Sequence, residues 1–235
     1  NIILSVNDSY GCVSTTSVEF ATVDNTKPTI TCPSNISVDT DLGANTAAVT
    51  VPLPTNINDN CAVDYYTNNY TNGENASATY NLGTTTVTYT VYDMCGNDKT
   101  CTFTVTVTDN EPPCIGCDPD PNTPENEGVS CADIAGTGLS ISETTDTGED
   151  TYTHHGTGWD ITATDNVHVA SITYAVSDND NTTLTAPNTT LDGQVFGLGT
   201  TTVTWTVLDD AGNTSTCSFT VTVTDNEPPC IGCDP

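Results

Sequence analysis

Along Thr102 to Thr108, apolar residues at 103, 105 and 107 alternate with threonine, and the same alternation returns at 218–224. Period-two alternation puts one set of side chains on each face of an extended chain, so both stretches are predicted as half-buried strands. The repetition extends beyond the strand. Thr100–Pro119 reads TCTFTVTVTDNEPPCIGCDP, and Thr216–Pro235 repeats it with only Thr102 changed, to Ser218. The chain is therefore read as an array of strand domains separated by joints. Val6–Pro28 aligns without a gap on Val91–Pro113, with Asp8, Gly11 and Asp24 answering Asp93, Gly96 and Asp109. Residues 1–28 are accordingly read as the last two strands of an upstream or partner β-sandwich. Two strands alone are marginal in water, so either preceding residues of the same polypeptide or a strand-donating subunit would complete them.

Between Thr29 and Pro113 short alternating segments centre on Ile30, Ile36–Val38, Val49–Val51, Val63–Tyr65, Ala76–Tyr80, Thr84–Tyr92 and Thr102–Thr108. Their number and spacing suit an antiparallel β-sandwich over 29–113. No window carries a 3.6-residue apolar stripe, and Thr, Val, Asn, Gly and Pro dominate, so an all-β fold is predicted. Residues 114–128, with their C-x-x-C pair, prolines and acids, read as a linker. A second sandwich is predicted over 129–229, with an inserted hairpin or loop at 136–158, and 230–235 reads as another C-x-x-C linker.

Charge narrows the function. The formal net charge is -29, and Lys27 and Lys99 are the only cationic side chains besides histidine. Phosphate recognition needs a basic surface, so nucleic acid is excluded as a partner. Self-repulsion of this size favours binding of divalent cations, and calcium is the expected counter-charge. The 11 cysteines point to an oxidising, extracellular compartment. No apolar run of about 18 residues is present, so no membrane insertion of this segment is expected.

DNTKPTITCP, NDNC and LGTTTVTYTVYDMCGNDKTCTFTVTVTDNEPP, spread over Asp24–Pro113, resemble the hyalin repeat, an immunoglobulin-like extracellular module. The second unit keeps TDN at 164–166, LGTTTVTWTVLDDAGN and TCSFTVTVTDNEPP, whereas its opening VSCADI departs from the pattern. The resemblance implies tandem immunoglobulin-like sandwiches of the kind found in adhesion proteins and in large bacterial surface adhesins, including those of gliding bacteria. It implies a structural or adhesive role in a long surface protein or filament, not catalysis. The expected partners are neighbouring repeats or identical subunits, with glycans or surfaces as further candidates.

The internal repeat also gives a pairing argument. Cys61 becomes Val167 and Cys95 becomes Ala211, while Cys32 and Cys101 are taken to persist as Cys131 and Cys217. Cysteines lost together are partners, which assigns Cys61 to Cys95, Cys32 to Cys101 and Cys131 to Cys217. Each bridge would contribute about 2–4 kcal/mol by restricting the unfolded chain. Cys114 with Cys117, and Cys230 with Cys233, are read as small self-closed loops or as bridges between domains or chains. Cys12 is the odd residue available for an inter-domain bridge.

Calcium takes six to eight oxygen ligands from carboxylates, amides and carbonyls on adjacent loops. The joints offer Asp109 and Glu111, and again Asp225 and Glu227. The hairpin loops offer Asp93 and Asn97, then Asp209 and Asn213, and another loop offers Asp59 and Asp165. Asp178 and Asp180 form a separate acidic turn, which is not an EF-hand because Thr183 and Thr189 stand where glycine and glutamate are required. A rival reading is a carbohydrate-binding or accessory module of a secreted enzyme, with Trp159 or the Tyr65, Tyr66 and Tyr70 cluster as a platform. The remaining chemical constellation is His154, His155, Asp150 and Asp160. Adjacent histidines on a strand face opposite ways, which argues against a shared catalytic site.

Overall fold

The computed structural model describes residues 2–18, 23–116, 140–177, 183–186 and 189–229. The fold is all-β, made of immunoglobulin-like sandwiches, and no helix occurs among the described residues. Chain contacts divide it into two compact units. One comprises Asn1–Ile36, Val49–Ala78 and Thr84–Val105, and the other Ser37–Ala48, Thr79–Gly83 and Thr106–Pro235.

In the first unit Ile2–Asn7 and Val13–Val18 form an antiparallel hairpin, with Ile3, Leu4, Val6 and Val13 all more than half exposed. Thr29–Thr31 pairs with Thr55–Asn58, and Val63–Asn68 pairs with Gly83–Asp93 from Val63↔Asp93 to Asn68↔Tyr89. Val87, Tyr89, Val91, Phe103 and Val105 are buried while the intervening threonines are not, as their alternation predicts. Each such side chain withdrawn from water contributes about 1.5–3 kcal/mol, which is what fixes the register. Two disulfides brace this unit, Cys32–Cys101 and Cys61–Cys95, with Cα separations of 5.7 and 6.5 Å. Cys12 is free and exposed.

The second unit contains a five-stranded sheet ordered Ser140–Thr144, Thr214–Thr224, Gly199–Asp209, Val169–Ser177 and Thr183–Ala186. Two short pairs, Thr151–Thr153 with Val195–Gly197 and Cys114–Ile115 with Ala163–Thr164, contribute to the same core. Trp205 lies at its centre, fully buried, with Tyr174 edge-on at 5.1 Å. On the opposite face the hydroxyls pair across strands, Thr204 with Ser218 at 2.9 Å and Thr200 with Thr222 at 3.1 Å.

Two sequence expectations change here. The expected inserted hairpin or loop at 136–158, of which 140–158 are described, holds strands of the sandwich itself. Ser140–Thr144 is the edge strand of the main sheet, parallel to Thr214–Thr224, and Thr151–Thr153 is a second-layer strand. The shared turn makes the equivalence explicit: Asp41 accepts from Ala48 N–H and Asp146 from Thr153 N–H, each at 2.9 Å. The extra length of the second repeat falls instead before Ser140 and at the hairpin of Val169–Ser177 with Thr183–Ala186. Nor does the linker begin at 114, because Ile115 is buried in the second core.

The expected Cys131–Cys217 bridge falls on a residue outside the described ones, and the strand register suggests an alternative. Cys114↔Thr164 repeats the pairing Thr29↔Asn58, one residue before the loop aspartates Asp165 and Asp59. In the repeat register Cys117, not Cys131, therefore stands where Cys32 stands. Cys114 and Cys217 are both disulfide-bonded, whereas Cys117, Cys131, Cys230 and Cys233 lie outside the described residues. Non-reducing peptide mapping is expected to join Cys217 to Cys117; a Cys131–Cys217 peptide would refute this register.

Candidate functional site

The site is built from three short loops, and it occurs twice. Asp93 ends a strand, and its Oδ1 accepts the N–H groups of Cys95 and Asn97 at 2.9 and 2.8 Å while the Asn97 amide donates to Oδ2 at 2.8 Å. Asp209 repeats this with Gly212, Asn213 and the Asn213 amide at 2.6, 2.7 and 2.8 Å. Gly96 and Gly212 sit at φ of 92° and 97°, a conformation glycine adopts without the Cβ clash. On the second loop Asp59 Oδ2 accepts Cys61 N–H at 2.6 Å, and Asp165 Oδ2 accepts Val167 and His168 N–H at 2.8 and 3.0 Å. The third carboxylate precedes the prolines. Asp24 Oδ1 accepts Thr26 N–H at 2.9 Å, and Asp109 Oδ1 accepts Glu111 N–H at 3.1 Å.

These loops converge. One oxygen each from Asp24, Asp59 and Asp93 lies within 4.8 Å of the others, and so does one each from Asp109, Asp165 and Asp209. In both clusters backbone N–H groups hold one oxygen of each carboxylate, and at Asp93 and Asp209 an asparagine amide holds the second. Asp24 Oδ2, Asp59 Oδ1, Asp109 Oδ2 and Asp165 Oδ1 are buried with no hydrogen-bond partner, as is Asn166 Oδ1. Buried acceptors without donors are costly, and three like charges in such proximity add repulsion. A hard divalent cation would satisfy both demands, and carboxylate oxygens are its preferred donors.

Three of the carboxylates, Asp24, Asp93 and Asp209, have their pKa lowered. At Asp93 burial pushes the pKa up, but the side chain and N–H of Asn97 with the Cys95 and Gly96 N–H groups outweigh it and hold the group below its ordinary value. Asp209 is depressed in the same way, burial being outweighed by Asn213, Gly212 and Ala211. Asp24 is lowered by the Thr26 N–H first and by the Asn60 side chain next.

Of the residues expected from sequence, Asp59, Asp93, Asp109, Asp165 and Asp209 come together, while Asn97 and Asn213 act as clamps. Asn213 also reaches the carbonyls of Asp109 and Glu111 at 3.4 Å. Glu111 and Glu227 turn elsewhere, accepting the N–H of Gly43 at 2.9 Å and of Gly148 at 3.0 Å. Asp225 is exposed, its Oδ1 accepting Glu227 N–H. Asp178 and Asp180 lie outside the described residues. Two participants were missed. Asp24 matches Asp109 in the aligned tails, and that match could have revealed it. Asn166 donates to Ala44 O at 2.9 Å, Asp109 Oδ1 at 3.2 Å and Thr40 Oγ1 at 3.3 Å.

The histidine constellation disperses. His154 is buried and stacked on Trp159, with ring centroids 3.8 Å apart, and neither ring nitrogen has a hydrogen-bond partner. His155 and Asp150 are exposed, and Asp160 Oδ1 accepts Leu191 N–H at 2.7 Å. Trp159 is buried among Tyr152, Phe196 and Phe219, so it offers no exposed sugar platform. Tyr65 is half exposed, stacked on Tyr92.

Burial lowers the His154 pKa below its ordinary 6.5 despite Asp160, Asp192 and Glu143 nearby. Above pH 6.5 both folded and unfolded states carry the neutral ring. As pH falls below that value the unfolded state takes up the proton first, so stability is lost until the folded-state pKa is passed. The melting temperature is expected to fall from pH 7 to pH 5. His154→Val, which installs the residue found at the equivalent Val49, should flatten that slope; an unchanged slope would exclude His154 as its source.

The HYR domain profile matches residues 23–107 and 161–223, which hold every aspartate of the two clusters except Asp109. The chain belongs to the HYR domain family. Hyalin of Strongylocentrotus purpuratus is 30% identical over 242 residues, covering 97% of this chain and 16% of that protein. Hyalin of Lytechinus variegatus is 27% identical over 276 residues, covering 93% of this chain and 51% of that one. The chain thus spans from about a sixth to about half the length of these HYR relatives. Among solved structures, protocadherin gamma B2 extracellular cadherin domains 3–6 match 92% of this chain and 57% of their own at TM-score 0.38 and 12% identity. The fibronectin(III)-like modules of Clostridium thermocellum CbhA match 87% and 99% at TM-score 0.31 and 11% identity. At these scores neither likeness bears on function. No helix is long and apolar enough to cross a membrane among the described residues. The disulfides of this HYR protein fit its extracellular location, secreted or at a cell surface.

Proposed function

We propose that this segment is an adhesive and structural part of a long extracellular HYR protein, non-catalytic, whose joints are stiffened by calcium. Asp24, Asp59 and Asp93 would hold one ion, and Asp109, Asp165 and Asp209 another. In each case one ligand comes from the DN tail of the preceding repeat and two from loops of the next. A cation bound there ties the tail to the following sandwich and removes the freedom of the joint between them. Disulfides brace the sandwiches while the ions brace the joints, and the whole presents binding surfaces at a distance from the cell. Neighbouring repeats or identical subunits are the natural partners of such a segment.

The observation that carries this reading is the recurrence, in two repeats, of three convergent carboxylates, two of which in each trio keep a buried oxygen lacking any donor. Turn chemistry accounts for one oxygen of Asp24, Asp59, Asp109 and Asp165 but not for the other, while Asp93 and Asp209 have both oxygens hydrogen-bonded. Calorimetric titration of the native chain with calcium tests it. Two ions per chain are expected, with Asp93→Asn and Asp209→Asn each abolishing one; a chain that binds no calcium would overturn the proposal.

A further inference from the structure

The two cages share their aspartates but differ in what ties the loops together. In the first, Cys61 N–H donates to Asp59 and Cys95 N–H donates to Asp93, at 2.6 and 2.9 Å. The Cys61–Cys95 disulfide joins those same two residues, and its sulfurs lie within 4.8 Å of the Asp24 carboxylate. Being bonded to each other, these sulfurs are not thiolate ligands. Their effect is positional, because the covalent link runs directly behind two of the three ligating groups.

In the second cage the corresponding residues are Val167 and Ala211, and no covalent link can form. Among the described residues the loops meet through Asp210 N–H to His168 O at 3.3 Å, an exposed His168–Asp210 pair at 3.1 Å and the adjoining Val169↔Asp209 strand pairing, none of them covalent. The first cage has the equivalent backbone bond as well, Met94 N–H to Ala62 O at 3.0 Å. An exposed pair of this kind contributes little. Without a cation, three facing carboxylates repel, and loops without a covalent tie can move apart. Binding must then restore their geometry at an entropic cost that a cross-linked site does not meet.

We propose that the Cys61–Cys95 disulfide sets the divalent-cation affinity of the Asp24, Asp59 and Asp93 site, making it the tighter of the two repeated sites. This rests on the calcium reading above and extends it, since it assigns the bridge to ligand positioning in addition to bracing the fold. Filling is consequently sequential. As calcium rises, the cross-linked cage loads first and the uncrosslinked cage responds over a higher range.

The test is calcium titration of the full chain by calorimetry, one site at a time. Asp165→Asn silences the second cage so that the first is read alone, and Asp59→Asn does the converse. Replacing Cys61 by Val and Cys95 by Ala, the residues this fold already accepts in its second repeat, should weaken the first site about ten-fold and leave the second unchanged. The reverse exchange, Val167→Cys with Ala211→Cys, should tighten the second site by about the same factor, and it reports even if the first variant does not fold. Two measurable sites whose affinities ignore both exchanges would overturn this proposal and leave the calcium reading intact. A wild-type chain that binds no calcium would overturn both.

Discussion

Removing calcium with EDTA should lower the melting temperature by about 10–20 °C, the shift expected when a site held at about a hundred times its dissociation constant, contributing about 2.7 kcal/mol, is emptied in a domain of this size. The stabilisation arises because the folded chain assembles three carboxylates that the unfolded chain keeps apart. Sodium chloride is the informative control. General self-repulsion at a net charge of -29 is screened over a Debye length of about 8 Å at physiological ionic strength, so salt relieves it without a specific site. A converging cluster with buried acceptors would instead be relieved by an ion bound at that point. Magnesium should also stabilise less than calcium, because it demands near-octahedral geometry and releases its waters reluctantly. Identical melting curves in calcium and EDTA, or a calcium shift fully reproduced by salt, would contradict the assignment of Asp24, Asp59 and Asp93 with Asp109, Asp165 and Asp209 as cation sites.

Much of the fold was legible because threonine and valine alternate so regularly that the buried face is written into the sequence. Val87, Tyr89 and Val91, and their counterparts Val203, Trp205 and Val207, are all fully buried. The edge strand Ser140–Thr144 was not legible, since its composition resembles a loop and it owes its conformation to parallel pairing with Thr214–Thr224, far along the chain. The same distance bears on the cysteine alignment. VSCADI was matched to the opening strand on its cysteine, whereas the strand that pairs beside Asp165 is Cys114–Ile115. In the site, five of six aspartates could be named because turns ending strands demand them. Their grouping into two trios could not, as it depends on which loops the sandwich brings to one end. Asp24 was passed over because the hairpin before it was read as an incomplete domain, although its tail repeats that of Asp109.

Asp165→Asn should move stability in opposite directions according to the ion present. In the native side chain Oδ2 accepts the Val167 and His168 N–H groups, while Oδ1 is buried and unpartnered among Asp109 and Asp209. Asparagine can keep its oxygen on the two N–H groups and turn its amide into the cluster, converting a repulsive contact into a donated hydrogen bond. In EDTA the variant should therefore melt higher than the native chain. In calcium it should melt lower, because a carboxylate ligand has been lost. Asp209→Ala makes the contrast: that residue is 2% exposed and accepts three hydrogen bonds, so its removal orphans those donors and lowers the melting temperature in both conditions. A purely structural role for Asp165 predicts that its substitution, too, destabilises equally with and without calcium. The crossing of the two Asp165→Asn comparisons is thus the outcome that separates a cation cage from a set of acidic turns, and parallel losses in both buffers would rule the cage out.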